Sequence, residues 1–193
     1  MLRSPQTYVS VDIEADGIAG CGSMLSIGAI GPHDEIFYSE ICPTTEDYIP
    51  ENRNFAESHG LERERLVRDA PKANEVMERF DKWVKKVSRN NKDKEPVFSA
   101  FNAAFDWSFV DLYFKKNGIN NPFGVAPFDI KSQALCLDEN CDWKSTKKDK
   151  LPEEIIPGED FSHNALEDAI FQQTLLYGLT ALTNKNEPNG DED

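Results

Sequence analysis

Residues Tyr8 to Gly17 read YVSVDIEADG, and their alternation decides how the chain is built. Val9, Val11 and Ile13 fall on one side of a strand and Ser10, Asp12 and Glu14 on the other, because successive strand residues face opposite ways. Two carboxylates therefore share one face, just before Gly17, a residue that lets the chain turn away. Such a like-charged pair is stable in water, with one member protonated, or with a cation between its members. The remaining sequence chooses among the three.

The 193 residues suffice for one domain with a substantial core and are too few for two of ordinary size. With 39% hydrophobic and 29% charged residues, the composition is that of a globular protein rather than a disordered one. A formal net charge of −14 argues against the basic footprint that attracts phosphate over distance, so a polyanion partner would need local help from metal ions or basic patches. The start, MLRSPQTYVSVD, lacks the apolar core of a signal peptide, and no run is long enough to span a membrane; a soluble, cytoplasmic protein is expected. Cys21, Cys42, Cys136 and Cys141 include no CxxC pair and give neither a zinc pattern nor a disulfide framework.

Around the opening stretch, MLSIGAIG and HDEIFYSEIC are two apolar runs separated by Gly31-Pro32, which reads as a hairpin beside the first strand. Pro43 to Asn54 is polar and reads as irregular, leading to a short helix near Ser58 to Arg68. From Lys72, the positions Ala73, Val76, Met77, Phe80, Trp83, Val84 and Val87 keep the spacing of an amphipathic helix. Its other face carries Lys82, Lys85, Lys86 and Arg89, continued by Lys92 and Lys94. A solvated face is the plainer reading of these charges, and a phosphate contact the sharper one. Pro96 to Phe101 reads as a buried strand, Asn102 to about Lys116 as a helix, Ala126 to Ile130 as a fifth strand, and Lys131 to about Leu137 as another helix. Asp138 to Gly158 is a polar loop with Lys144, Lys147, Lys148 and Lys150. A last helix is expected after His163 and Asn164, and residues 184–193 read as a flexible acidic tail. The order implies an α/β fold, a mixed five-stranded sheet with helices on both faces. Its ligand site is expected at the carboxyl ends of the strands, where Asp12 and Glu14 lie.

Asn102-Ala-Ala-Phe-Asp106 and Asn164-Ala-Leu-Glu-Asp168 each place an aspartate four residues after an asparagine suited to a helix N-cap. For either segment alone, the ordinary preference of aspartate for a helix's first turn is explanation enough. Together with Asp12 and Glu14 they make four carboxylates, with His163 at the edge of the group. Drawn together, these charges repel unless hard divalent cations with oxygen ligands neutralise them, and magnesium is the natural choice. Two such ions held close together activate water and bind phosphate, and a histidine titrating near neutrality takes up the proton.

Asp12-Ile13-Glu14, Asn102 with Asp106, and His163 with Asp168 occur in the order and spacing of three exonuclease motifs, and in this the chain resembles the DEDDh family. The resemblance covers nearly the whole chain. It implies a ribonuclease H-like fold over residues 1–183 and a 3′–5′ exonuclease that acts on single-stranded DNA or RNA, or short oligonucleotides, and releases nucleoside 5′-monophosphates. It implies two Mg²⁺, for which Mn²⁺ can substitute, held by Asp12, Glu14, Asp106 and Asp168, with His163 as general base. Substrate contacts would come from Ala15, Gly17, Met24, Leu25, His59, Asn102 and Phe105. Among these, Met24 and Leu25 match an apolar wedge and His59-Gly60-Leu61 a substrate-contacting segment. A strand core and a helix start explain those two matches equally well. Phe105 or Trp107 offers a stacking surface or packs as helix core. A homodimer is compatible with the sequence.

Two departures bear on substrate contact. Ala15 and Asp16 stand where the family often carries two threonines, so a hydroxyl is missing and a negative charge is added. Phe101 replaces a histidine that often precedes the asparagine. Two rival readings remain open, a non-catalytic exonuclease-like interaction module and a metal phosphohydrolase acting on small nucleotides. The intact set of carboxylates argues against the first, because an assembly module has no use for their repulsion.

Overall fold

Strand β1, Gln6–Ala15, lies at the centre of a five-stranded sheet. The structure, a computed structural model, describes residues 6–136, 142–144, 146–147, 151 and 163–185. Strands β2, Met24–Ile30, and β3, Ile36–Glu40, continue from β1 as an antiparallel meander, with Ile13 opposite Ile27 and Ala29 opposite Phe37. On the other side of β1, strand β4, Glu95–Ala100, runs parallel, with Val9 opposite Phe98, and the two-residue strand β5, Phe128–Asp129, runs parallel to β4. The spatial order is β3-β2-β1-β4-β5, a mixed sheet as expected.

The alternation along β1 sorts the helices onto the two faces. Val9, Val11, Ile13 and Ala15 enter a core with α3, Ala73–Asn90, and α4, Ala104–Lys116. From α3 this core takes Val76, Met77, Phe80, Val84 and Val87, the apolar spacing read in the sequence. The opposite face is covered by α5, Ile130–Leu135, and α6, Ala165–Lys185, whose Leu175, Leu176 and Leu179 pack with Ile130, Tyr8 and Phe128. Gly28 on β2 makes the seating of α6 possible. A Cβ there would lie 2.2 Å from the backbone carbon of Ala165 and the nitrogen of Leu166, so only glycine admits the start of the helix.

The segment before α3 differs from the sequence reading. Helix α1, Pro50–Ser58, occupies part of the stretch read as irregular, and α2, Arg63–Asp69, follows as a separate helix. Pro50 starts α1, where its missing N–H costs nothing. Gly60, at φ 86°, breaks the chain between the helices, and Leu25, Ala56, Leu61 and Leu66 form a small core beneath them. The fifth strand is shorter than Ala126 to Ile130, and α5 begins at Ile130 because the Asp129 side chain accepts from Lys131 N and caps it. Cys21, Cys42 and Cys136 are free thiols, while Cys141 lies outside the described residues. Most of the loop from Asp138 to Gly158 and the tail from 186 also lie outside them. Among the described residues, no helix is long and apolar enough to cross a membrane.

Candidate active site

At the carboxyl ends of β1 and β4, a cleft of about 350 Å³ is lined by Asp12, Ile13, Glu14, Phe101, Asn102, Phe105, Asp106, His163 and Asp168. Asp12 and Glu14 reach it from the polar side of β1, next to an irregularity in the β1–β2 pairing after Glu14. Asp106 comes from the first turn of α4, where its Oδ1 accepts from Ile13 N at 3.0 Å and ties the helix start to β1. Asp168 comes from the first turn of α6. Asp12, Asp106 and Asp168 are only 8%, 5% and 6% exposed, so the negative charge is concentrated where water can do little to screen it.

The two asparagines expected as caps differ in what they do. Asn164 is a cap, its Oδ1 accepting from Leu166 N at 3.0 Å and Glu167 N at 3.4 Å. Asn102 is not. It adopts a left-handed φ of 65° one residue before the capping position, which Ala103 occupies without a side-chain bond. The turn is held instead by Asp129, whose Oδ1 accepts from Asn102 N at 2.9 Å and Ala103 N at 3.1 Å. Ser132 Oγ donates to the other oxygen of Asp129 at 2.6 Å. Asparagine tolerates the left-handed region better than most residues, which suits it to this turn.

Gln172, fully buried on α6, completes the frame. Its Oε1 accepts from Phe101 N at 2.8 Å and its Nε2 donates to Asp12 Oδ1. The amide orientation is forced, since a backbone N–H only donates and a carboxylate only accepts. Gln172 lies four residues after Asp168, on the same helix face, and so ties β1, the β4–α4 turn and α6 together. Sequence reasoning found neither Gln172 nor Asp129. The spacing from Asp168 was the one available sign.

His163 sits closer in than its place before the cap suggested. One ring nitrogen of His163 and one carboxylate oxygen from each of Glu14 and Asp168 lie within 4.8 Å of one another, an arrangement able to hold a metal ion. His59, at the end of α1, is exposed, with its ring 4.7 Å from that of His163. Asn102 and Phe105 line the cleft. The structure does not give Met24 and Leu25 the exposed face that a wedge requires. They are 0% and 1% exposed, because β2 is covered on one side by the main core and on the other by the core beneath α1 and α2. Ala15 and Gly17 are buried as well. Trp107 packs edge-on to Phe98, a core position.

Comparison with known proteins matches residues 7–179 to the family described as 3′-5′ exoribonuclease Rv2179c-like domain. The chain is 35% identical over 188 residues to the 3′-5′ DNA exonuclease Cap18 of Escherichia coli, covering 96% of this chain and 97% of that protein. The chain belongs to the Rv2179c-like 3′–5′ exonuclease family. Its fold is also that of the nuclease domain of 3′hExo, a DEDDh family member solved bound to rAMP. The TM-score is 0.65 at 12% identity over 93% of this chain and 92% of that one. Pop2p of S. pombe, solved with Mg²⁺ and Mn²⁺, superposes with a TM-score of 0.61 at 12% identity over 90% and 82% of the two chains.

In this exonuclease the added charge of Asp16 does not face the cleft. Asp16 is fully buried, paired with Arg63 of α2, and accepts from Ser23 N at 2.5 Å. Burial pushes its carboxyl above the ordinary range, against the opposing pull of Ser23 N–H and the Arg63 guanidinium. The pair closes the loop between β1 and β2 onto α2. The end of the basic run lies away from the cleft too. Lys92 and Lys94 precede the start of β4, which pairs with Gln6, six residues before Asp12, or about 20 Å along the strand. Lys85 is engaged with Asp81 at 2.7 Å.

Proposed function

We propose that this exonuclease removes nucleoside 5′-monophosphates one at a time from the 3′ end of single-stranded DNA or RNA, at the cleft between β1, α4 and α6. The observation that carries this reading is the meeting of Asp12, Glu14, Asp106, Asp168 and His163 in one cleft, from three separate parts of the chain. A cluster of near-buried carboxylates fits hard divalent cations in charge and in ligand type. Asp12, Glu14, Asp106 and Asp168 would hold Mg²⁺ or Mn²⁺, two ions in this reading. Such ions, when bound, neutralise the carboxylates and the terminal phosphate and acidify water.

The chain's own residues do the rest. His163 takes the proton of the attacking water, a role its closeness to Glu14 and Asp168 supports. A new bond forms from the water oxygen to phosphorus. The bond from phosphorus to the 3′ oxygen of the penultimate nucleotide breaks, that oxygen takes a proton from solvent water, and His163 returns the proton of the attacking water to solvent. Asn102 and Phe105 at the cleft wall contact the terminal nucleotide. The Escherichia coli relative is named for DNA and the family description for RNA, so both sugars belong in the test.

The experiment incubates 5′-labelled single-stranded DNA and RNA with the protein and Mg²⁺, beside a 3′-blocked strand, free mononucleotides and a chelator control. A ladder shortening from the 3′ end, absent with chelator, is expected. No shortening of either strand would refute the proposal, and turnover of mononucleotides alone would mark a small-nucleotide phosphohydrolase instead.

A further inference from the structure

His163 is held differently from the carboxylates around it. Asp12, Asp106 and Asp168 rise from a central strand and two helix starts, whereas His163 stands before the α6 cap with a left-handed φ of 53°. Outside helix and strand, the orientation of a histidine ring is set by contacts from other elements rather than by its own. That support comes from α1. The Phe55 ring meets the His163 ring edge-on, at 4.7 Å and 86°. His59 lies 4.7 Å from His163 and 4.5 Å from Phe55, closing a triangle of three rings. The His59 ring is fixed in turn, since its Nδ1 lies 2.8 Å from Phe55 O. A carbonyl only accepts, so that nitrogen carries the proton.

Phe55 is 45% exposed on a largely polar helix, where only Ala56 is buried. Packing of the core does not explain an aromatic there; the contact with His163 does. We infer that Phe55 and His59 form a seat that positions the His163 imidazole over the cleft, and that Phe55 is a positioning residue for this reaction. The inference rests on the reading of His163 as general base. Edge-to-face contacts act at these separations, and an imidazole released from one samples orientations that point away from Glu14 and Asp168.

The test is a double-mutant cycle of Phe55→Ala and His163→Ala on a labelled oligonucleotide with Mg²⁺, together with NMR of the histidine side chains in wild type and Phe55→Ala. Phe55→Ala should lower kcat about tenfold and change KM by less than about twofold, with an unchanged melting temperature. Phe55→Trp should restore the rate and Phe55→Leu should not. In the His163→Ala background the second substitution should cost nothing further. The His163 ring signals should lose the ring-current shift of the phenyl group in Phe55→Ala. A raised KM at unchanged kcat would overturn the seat in favour of direct stacking on substrate. So would a tenfold loss that persists without His163, or unmoved His163 signals. A fully active His163→Ala would overturn the general-base reading itself, whereas an inactive His163→Ala beside a fully active Phe55→Ala would overturn the seat alone.

Discussion

Replacing Gln172 with leucine removes two hydrogen bonds from the frame of the cleft while nearly preserving side-chain volume. The bond from Nε2 to Asp12 Oδ1 has a charged acceptor and is worth about 1.5–3 kcal/mol, and the one from Phe101 N to Oε1 about 0.5–1.5 kcal/mol. Asp12 is buried and Phe101 partly so, and the variant should lose roughly 2–4 kcal/mol of stability, or about 4–16 °C in melting temperature for a chain of this length. If the Asp12 share of this orients the carboxylate for catalysis, kcat falls about 10- to 100-fold. Gln172→Asn keeps the amide but is one methylene short of spanning both partners, and should fall between wild type and leucine. The assay combines thermal unfolding, with and without Mg²⁺, and steady-state oligonucleotide degradation. Poorer orientation of Asp12 should also shrink the upward shift in melting temperature that Mg²⁺ produces, because binding stabilises the folded state in proportion to its affinity. A leucine variant with wild-type kcat and an undiminished Mg²⁺ shift would show that Gln172 does not position Asp12.

Three further outcomes follow from particular contacts. Gly28→Ala forces a Cβ to within 2.2 Å of the Ala165–Leu166 backbone, so α6 must shift and Asp168 with it; kcat should fall about 100-fold, read by the same degradation assay. Asp129→Ala removes the acceptor of Asn102 N and Ala103 N and should cost about 1.5–3 kcal/mol in denaturant unfolding, while Asp129→Asn, which keeps an acceptor oxygen, should recover part of it. Arg63→Met breaks the buried pair with Asp16 and should cost about 3–5 kcal/mol at neutral pH. The sign with pH follows from the raised folded pKa of Asp16. The folded state holds that proton more tightly than the unfolded one, so the contribution is complete below the unfolded pKa of about 4 and declines as pH rises through the folded value. Without Arg63 the folded value rises further, and the variant's deficit in urea unfolding should widen between about pH 4 and pH 7.

The parts of this fold legible in the sequence are those set by local pattern. The alternation of β1 and the apolar spacing of α3 both appear where they were expected, and the candidate site residues were picked out by short motifs on β1 and at the starts of α4 and α6. Helix α1 was hidden because it is mostly polar and has no side-chain cap, so neither periodicity nor capping announced it. Asp129 and Gln172 were hidden for another reason. Each acts on a turn far away in the chain, and only the folded sheet brings them to it. The burial of Leu25 likewise depends on α1 and α2, that of Met24 on the main core, and that of Asp16 on Arg63. A charged residue beside a motif looks like a substrate contact until its partner is known.

Asp12→Asn bears on whether this cleft is the exonuclease centre. The substitution keeps the shape of the side chain and an oxygen able to accept from Gln172, and removes one negative charge from the cluster. Measured together on one preparation, release of nucleoside 5′-monophosphates from a 3′ end should fall by about a thousandfold or more, while the melting temperature without added metal stays the same or rises as repulsion among the carboxylates is relieved. A variant that folds and still degrades the strand at a rate near wild type would contradict the assignment of this cleft as the exonuclease centre.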